Sequence, residues 1–368
     1  MVIHHFDPDS PAPGGIDTCI RGMIRYGRGT DFVIVGMARS PHRVPAGTWM
    51  QGRLEGRAVP WLSVGQVPRS RPRVPNAVRL RMGVTRFSRP IRRPAPDVVQ
   101  VHRVEMAPAA RRMFPTAHLD LFVHEDAANW TRDTTESRWR WMRGGYSVLV
   151  DRAVRLADRV VCFSPSAASR LSMSHEHVLV VPTWFDPDIF WPAAKPPGPR
   201  TKILWVGRLE TVKDPGLAVD VLAELPPPYE LDVVGDGSLQ TQIASHIWRR
   251  GLQDRIRLHG AVSKAEVATL MREHDVMLMT SHSEGFPRVM VEALASGLPV
   301  VATAGADPGE LLADGTCGRM ASDRSARHLA ELVLASSAVD ASACAGAVTD
   351  MSAPAVVARI TSTGVECP

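Results

Sequence analysis

Lys202-Ile203-Leu204-Trp205-Val206-Gly207-Arg208-Leu209 is a short, apolar, partly β-branched run that stops on a glycine and an arginine. An amphipathic stretch, Pro215–Leu225, follows it. A second apolar run, Glu230–Val234, then closes on Gly235-Asp236-Gly237. Strand, helix and strand in this order, with glycine at each strand end, is the pattern of a parallel βαβ unit. Downstream the alternation predicts strands at Arg255–His259, Asp275–Met279 and Pro299–Ala302. Helices are predicted at Leu239–Arg250, Lys264–Glu273, Arg288–Ser296 and Ser325–Ser336. Upstream it predicts strands at Asp31–Gly36, Asp97–His102, Leu119–His124, Arg159–Phe163 and Val178–Val181, with Val2–His5 as a further short run. Helices there are predicted at Ile16–Arg28, Arg143–Ala157 and Ser166–Ser172. The fold class expected is α/β: two Rossmann-like domains facing each other across a cleft. Phe190–Pro199 carries four prolines in ten residues and suits a stiff linker. The expected division is 1–190, then 191–350, then a C-terminal segment 351–368.

Composition narrows the function. The 368 residues are 45% hydrophobic and 22% charged, which excludes a disordered chain, a collagen-like chain and a coiled coil. No run of about 18 apolar residues exists, so no transmembrane helix is expected. The start, Met1-Val2-Ile3-His4-His5, lacks the basic and apolar regions of a signal peptide. The five cysteines are scattered without a Cys-x-x-Cys pair, so neither a disulfide frame nor a zinc site is expected, and a reducing cytoplasm fits. Charge is uneven. Residues 1–190 hold 27 Arg, no Lys and 17 acids, a net of +10. Residues 191–368 hold 16 basic and 21 acidic residues, a net of −5. The stretch 57–96 has ten arginines and no acid, and yields no assignable elements.

Ligands of open parallel sheets bind beyond the carboxyl ends of the strands. The residues there are His102, then His124-Glu125-Asp126, then Gly207-Arg208, Gly235-Asp236-Gly237, His259-Gly260 and Ser281–Pro287. The sharpest constellation runs from Ser283-Glu284-Gly285-Phe286-Pro287-Arg288-Val289 to Glu292. A proline suits the start of the helix. The free amides near Gly285 to Val289 can bind an anion such as a phosphate. Glu284 and Glu292 flank that anion site, and each can accept hydrogen bonds from hydroxyls. A sugar, a diphosphate and a ribose have that layout. Arg208 and Lys213 can neutralise a diphosphate without a metal. Gly15, in Gly14-Gly15-Ile16, suits a loop where backbone nears a ligand.

These motifs resemble the retaining GT-B glycosyltransferases of the group-one type, family four in the usual sequence classification. The matching passages are Val206-Gly207-Arg208-Leu209 with Lys213, Val234-Gly235-Asp236-Gly237, Leu258-His259-Gly260-Ala261-Val262, Glu284 to Glu292, and Gly297–Thr303. Ala157–Val161 and Pro182-Thr183-Trp184-Phe185-Asp186 match two further passages. The resemblance implies the GT-B fold and a nucleotide-diphosphate sugar as donor, a UDP- or GDP-sugar first. It implies a hydroxyl acceptor, retention of anomeric configuration, and no metal or other cofactor. Arg208 and Lys213 would hold the diphosphate. Glu284 with the backbone of Gly285, Phe286, Pro287, Arg288 and Val289 would hold the sugar, and Glu292 the ribose. His102 would contact the sugar near the reacting carbon, and Gly15 would lie near the phosphates. The chain departs from the family pattern at Arg288, usually apolar, and at Trp184, usually glycine.

Other readings stand beside this one. A sugar-nucleotide epimerase shares the frame, and a non-catalytic basic binding protein would share the charge. The arginine stretch 57–96 reads as a solvated face, or as a peripheral contact with anionic membrane; Phe87 is its one aromatic after Trp61, so a nucleic-acid partner is not expected. Asp7-Pro8-Asp9 and Asp186-Pro187-Asp188 imitate a metal-binding Asp-x-Asp motif, but lie beside prolines and end no apolar strand.

Overall fold

The computed structural model describes residues 1–10, 15–39, 45–67, 74–124, 143–193, 201–307, 311–336 and 339–362. Gly14, Arg69, Arg71, Arg73, Glu125, Asp126 and the proline-rich run from 194 lie outside them. Two compact units form. One runs from Met1 to Val181 and takes back the chain from Pro354; the other is Pro182–Ala353.

The first unit holds an eight-stranded sheet of β1 (Val2–Ile3), β2 (Ile34–Ala38), β3 (Trp49–Leu54), β4 (Arg57–Gln66), β5 (Val98–Val101), β6 (His118–Val123), β7 (Arg159–Cys162) and β8 (Val178–Val180). Their spatial order is β3-β4-β2-β1-β5-β6-β7-β8. All pairs are parallel except the β3–β4 hairpin at the edge. Strand order therefore reverses between β1 and β5, in register Val2 to Gln100 and Ile3 to Val101. Crevices in doubly wound sheets open at such a reversal.

The described parts of the arginine stretch 57–96, which gave no assignable elements, form regular structure. They contain β4 and the helices Asn76–Arg86 and Ser88–Arg92. Frequent Arg and Pro hide the apolar period, yet Val59, Trp61, Leu62 and Val64 of β4 are buried. The hairpin turns on Glu55 and Gly56, both at positive φ (51° and 76°), as a two-residue type I′ turn requires. Arg57, just past the turn, is half-buried. Its guanidinium donates to the carbonyls of Ile24, Gly27 and Thr30 at 2.7–2.8 Å, closing the end of the helix Gly15–Tyr26. This is the C-terminal capping role that a cation can take.

The second unit is a six-stranded parallel sheet of β9 (Thr201–Val206), β10 (Tyr229–Val234), β11 (Ile256–Gly260), β12 (Val276–Met279), β13 (Val300–Thr303) and β14 (Gly318–Ala321). The order β11-β10-β9-β12-β13-β14 reverses between β9 and β12. Both faces are covered. Ile203 and Trp205 pack with the helices Pro215–Glu224 and Ala326–Ala335, while Leu204, Met277 and Val300 pack with Arg288–Ala295. Such two-sided burial explains why these strands read as continuous apolar runs.

The passage Pro182–Phe190 belongs to this unit because Phe185 and Phe190 are part of its core. The helix Ala353–Thr361 instead meets the first unit. Arg159 donates to the Ile360 carbonyl at 2.9 Å and grips the fully buried Asp120 with two bonds of 2.8 and 2.7 Å, while Arg359 donates to the Val180 carbonyl. No described helix is long and apolar enough to cross a membrane.

Arg57→Ala removes three charge-assisted bonds to backbone carbonyls. Urea unfolding is expected to show a loss of about 2–3 kcal/mol, with Arg57→Lys recovering only part. An unchanged midpoint would refute the capping role.

Candidate functional site

Glycine at the ends of β9 and β10 is dictated by backbone proximity. A Cβ on Gly235 would stand 1.8 Å from the Gly207 carbonyl oxygen, and one on Gly237 would stand 2.4 Å from that of Leu209. Gly235 also sits at φ 135°, which side chains disfavour. The two loops thus lie backbone on backbone, joined by the Gly207 amide to the Val234 carbonyl and the Leu209 amide to the Asp236 carbonyl, both at 3.0 Å.

From β12 the chain adds a third loop. The Thr280 hydroxyl lies 2.9 Å from the Lys213 carbonyl and 2.7 Å from that of Asp214, and accepts from the Trp205 indole at 3.0 Å. Asp214, in a left-handed conformation at φ 47°, caps the helix Pro215–Glu224 through the Leu217 amide. Arg324 clamps the same turn, with Asp214 Oδ2 at 2.5 Å and the Thr280 and Ser281 carbonyls at 2.9 and 3.0 Å. These bonds fix Lys213 so that its ammonium meets the Glu284 carboxylate. Ser281 donates to the same Glu284 oxygen at 2.6 Å. Arg208 is turned outward, with its side chain 67% exposed and paired with Glu210. Surface pairs of that kind contribute little, so Arg208 is cheap to redirect.

The helix Arg288–Ala295 starts beside Glu284. Pro287 is its N-cap rather than its first helical residue and makes no side-chain cap. Met290 donates to the Pro287 carbonyl at 3.1 Å, and a helix start of this kind suits an anion. Glu292, on the same helix, is 7% exposed. Its nearest cation is Lys264 at 3.7 Å, which sequence reading missed. Burial raises the Glu292 carboxyl above the usual range, and Lys264 and Arg288 oppose that rise. A Ser263/Glu266 capping box places Lys264 at the mouth of its helix; that Ser-x-x-Glu spacing was the available signal. Arg288 donates to the Trp184 carbonyl at 2.9 Å, and its guanidinium lies 5.1 Å from the Trp184 ring centre. The two departures from the family pattern are thus one contact.

Lys213, Glu284 and the helix start come together in the second unit, with Glu292 farther along that helix. His102 and Gly15 belong to the first unit. A Cβ on Gly15 would meet no protein atom within 4 Å. His102 ends β5 at the reversal point, 3% exposed and stacked on Phe122 at 4.4 Å. Its Nδ1 lies 2.8 Å from His124 Nε2, while its own Nε2 is buried with no hydrogen-bond partner among the described residues. An unmatched buried nitrogen costs about 1–3 kcal/mol. His4 and His5 adjoin it, and Arg103 donates to His5. Burial drives His4 and His102 well below the usual histidine range and His5 to about 3.

Cys19, His102 and His124 are the one grouping of possible metal ligands among the described residues. A 2.8 Å separation of the two imidazole nitrogens is that of a hydrogen bond. Asp7 and Asp186 accept the amides of Asp9 and Asp188. Each Asp-x-Asp therefore forms a tight turn.

Residues 188–336 match the family model for glycosyl transferases group 1. Over that part the chain is similar to glycosyl transferases of group 1. D-inositol 3-phosphate glycosyltransferase of Arthrobacter sp. (strain FB24) is 30% identical over 200 residues, covering 50% of this chain and 48% of that one. MMP alpha-(1->4)-mannosyltransferase of Mycolicibacterium hassiacum is 28% identical over 209 residues, covering 55% and 49%. The chain thus spans about half the length of the relatives it matches. Among solved structures, sucrose-phosphate synthase from Thermosynechococcus elongatus superposes with a TM-score of 0.79 over 98% of this chain and 96% of its own, at 16% identity. Anabaena Alr3699/HepE in complex with UDP and glucose gives 0.73 over 96% of each, at 19% identity. The fold is GT-B, built of two Rossmann-like domains.

The folded pKa values of His4, His5 and His102 lie below the unfolded value near 6.5. The unfolded chain therefore binds more protons as pH falls. Stability is full above about pH 6.5 and declines below it, by up to about 1.4 kcal/mol per pH unit per histidine. Urea titrations at pH 7.5 and 5.5 should show the loss in the first unit; equal stabilities would contradict neutral burial of the cluster.

Proposed function

We propose that the protein is a glycosyltransferase that moves a sugar from a nucleotide-diphosphate sugar to a hydroxyl acceptor. The observation that carries this reading is Lys213 held against Glu284 and Ser281 beside an uncapped helix start, at the carboxyl ends of β9 and β12. Charge for a diphosphate, amides for its oxygens and acceptors for sugar hydroxyls converge there. UDP-sugars are the first donors to test, because the Anabaena neighbour holds UDP and glucose.

The chemistry follows from the groups. Glu284 pairs with the Lys213 ammonium. An incoming diphosphate exchanges that partner for phosphate oxygens, and Glu284 is released to accept hydrogen bonds from the sugar hydroxyls. Arg208 swings from Glu210 to add a second cation. At an effective dielectric of about 20, one contact at 4 Å has a Coulomb term of roughly 4 kcal/mol before desolvation. The same cations stabilise the diphosphate as it leaves, which is transition-state stabilisation of developing charge. Glu292, with the Lys264 ammonium at 3.7 Å, accepts from two ribose hydroxyls. The assignment of His102 and Gly15 to the donor rests on the motif resemblance. A neutral imidazole suits a hydrogen bond to a sugar. For retention, the bond from the acceptor oxygen to the anomeric carbon forms on the face where the bond to phosphate breaks, and the departing phosphate oxygen takes the acceptor proton. No metal enters this scheme.

Lys213→Ala and Glu292→Gln should each weaken UDP-sugar affinity or turnover about a hundredfold, the scale of a lost charge-assisted bond. Calorimetry with nucleotide sugars checks the first effect and product assay the second. Near-normal values in both variants would end the reading. Activity should survive EDTA; loss reversed by Mg²⁺ would refute metal independence. Turnover of the donor with no acceptor present would favour an epimerase.

A further inference from the structure

Outside the donor residues, one cavity of the first unit is lined by Arg81, Thr85, Ser88, Arg92, Arg112 and Met113, with a volume of about 160 Å³. Arg81 and Thr85 come from the helix Asn76–Arg86, Ser88 and Arg92 from the helix Ser88–Arg92, and Arg112 from the helix Ala107–Met113. All three arginines are exposed, and among the described residues none is in an ion pair. The stretch from 57 to 96 supplies no acid to compensate them. Three converging cations beside two hydroxyl-bearing side chains suit a phosphate: guanidinium forks match phosphate oxygens, and the hydroxyls can donate as well.

A second feature adjoins the cavity. The same helix buries Ala77, Leu80, Gly83 and Val84. On the opposite side it exposes Val78 at 45% and Met82 at 65%, and Val74, just before it, at 40%. At about 100° per residue, Arg81, Thr85, Val78, Met82 and Arg86 form one continuous outward face. A solvated helix face gains nothing from apolar side chains at its centre, whereas a bilayer interface does. Free phosphate satisfies the arginines and leaves Val78 and Met82 in water. An anionic phospholipid satisfies both.

We propose that this face is a docking site for anionic phospholipid: a headgroup phosphate enters the Arg81–Arg92–Arg112 cavity while Val78 and Met82 insert between headgroups. Arg89 and Arg93, adjacent in sequence to Ser88 and Arg92, are also exposed. The site is independent of the donor-binding residues, so it stands or falls apart from the glycosyltransferase reading.

Sedimentation of the full chain with vesicles of phosphatidylcholine, with and without phosphatidylglycerol, tests it. Binding is expected only with phosphatidylglycerol and should weaken with salt. Arg81→Gln/Arg92→Gln/Arg112→Gln should lower the partition coefficient about a hundredfold, at roughly one tenfold step or less per cation near the surface. A control triple, Arg249→Gln/Arg257→Gln/Arg327→Gln, removes the same charge from exposed positions of the other unit and should retain binding. Met82→Ser should weaken binding severalfold without changing the salt slope. The single variant Arg81→Gln serves if the triple is poorly folded. Four outcomes would overturn the proposal: no binding to phosphatidylglycerol vesicles, equal loss in both triples, indifference to Met82→Ser, or saturable binding of inorganic phosphate without vesicle binding.

Discussion

The second unit depends on a contact that involves no side chain. At the carboxyl ends of β9 and β10 the Gly207 and Leu209 carbonyls lie where side chains of Gly235 and Gly237 would stand. This lets two loops stack backbone on backbone and frees the space above them. Thr280, from the far side of the strand-order reversal, then ties down the Lys213–Asp214 turn. Lys213 is aimed because the turn carrying it is bonded by its own carbonyl. A long, flexible cation placed this way loses less entropy on meeting an anion than one on an open loop would. The motif glycines and the motif lysine are therefore two ends of one constraint.

The strands of the second unit were legible because two-sided burial leaves an uninterrupted apolar run between glycines. The predicted spans differ from the observed ones by a residue or so: Lys202–Val206 against Thr201–Val206, and Pro299–Ala302 against Val300–Thr303. The strand Gly318–Ala321 escaped notice because Arg319 and Met320 break its period at the sheet edge. In the first unit, β3 and β4 stayed hidden for a related reason. Arg53, Arg57 and Pro60 interrupt the apolar alternation of the hairpin, and they do so on both of its faces. The I′ turn at Glu55-Gly56 was present in the sequence, but Glu is an uncommon residue for positive φ, and the dipeptide lacks the usual Asn-Gly or Asp-Gly form.

The site shows the same division. Carboxylates and cations at strand ends can be read from spacing, since topology sends every parallel strand end to one side of the sheet. Partners from elsewhere cannot. Lys264 reaches Glu292 from a helix 28 residues earlier in the chain, and Arg324 reaches Asp214 across 110 residues. Arg288 and Trp184 looked like two unrelated departures. In the structure the guanidinium lies over the indole and bonds to its carbonyl, so a large aromatic at one position supplies both surface and acceptor for the charge at the other.

The arginine excess of the first unit is best understood residue by residue. Arg57 spends its charge on three carbonyls and Arg159 on a buried carboxylate and a carbonyl. Arg111 is committed to Asp158 and to the carbonyls of Leu156 and Ala117. These are internal braces, and lysine could not replace them, because each uses two or more of the guanidinium's fixed donors. Such bracing explains arginine over lysine in the interior, but it does not account for Arg81, Arg92 and Arg112, which brace nothing. Mutual repulsion disfavours gathering three unpaired cations around one cavity, and nearby carboxylates would relieve it. Among the described residues no ion pair reaches them, which leaves an external anion as the source of the missing charge, and the apolar residues beside them suit an anion that carries its own hydrocarbon.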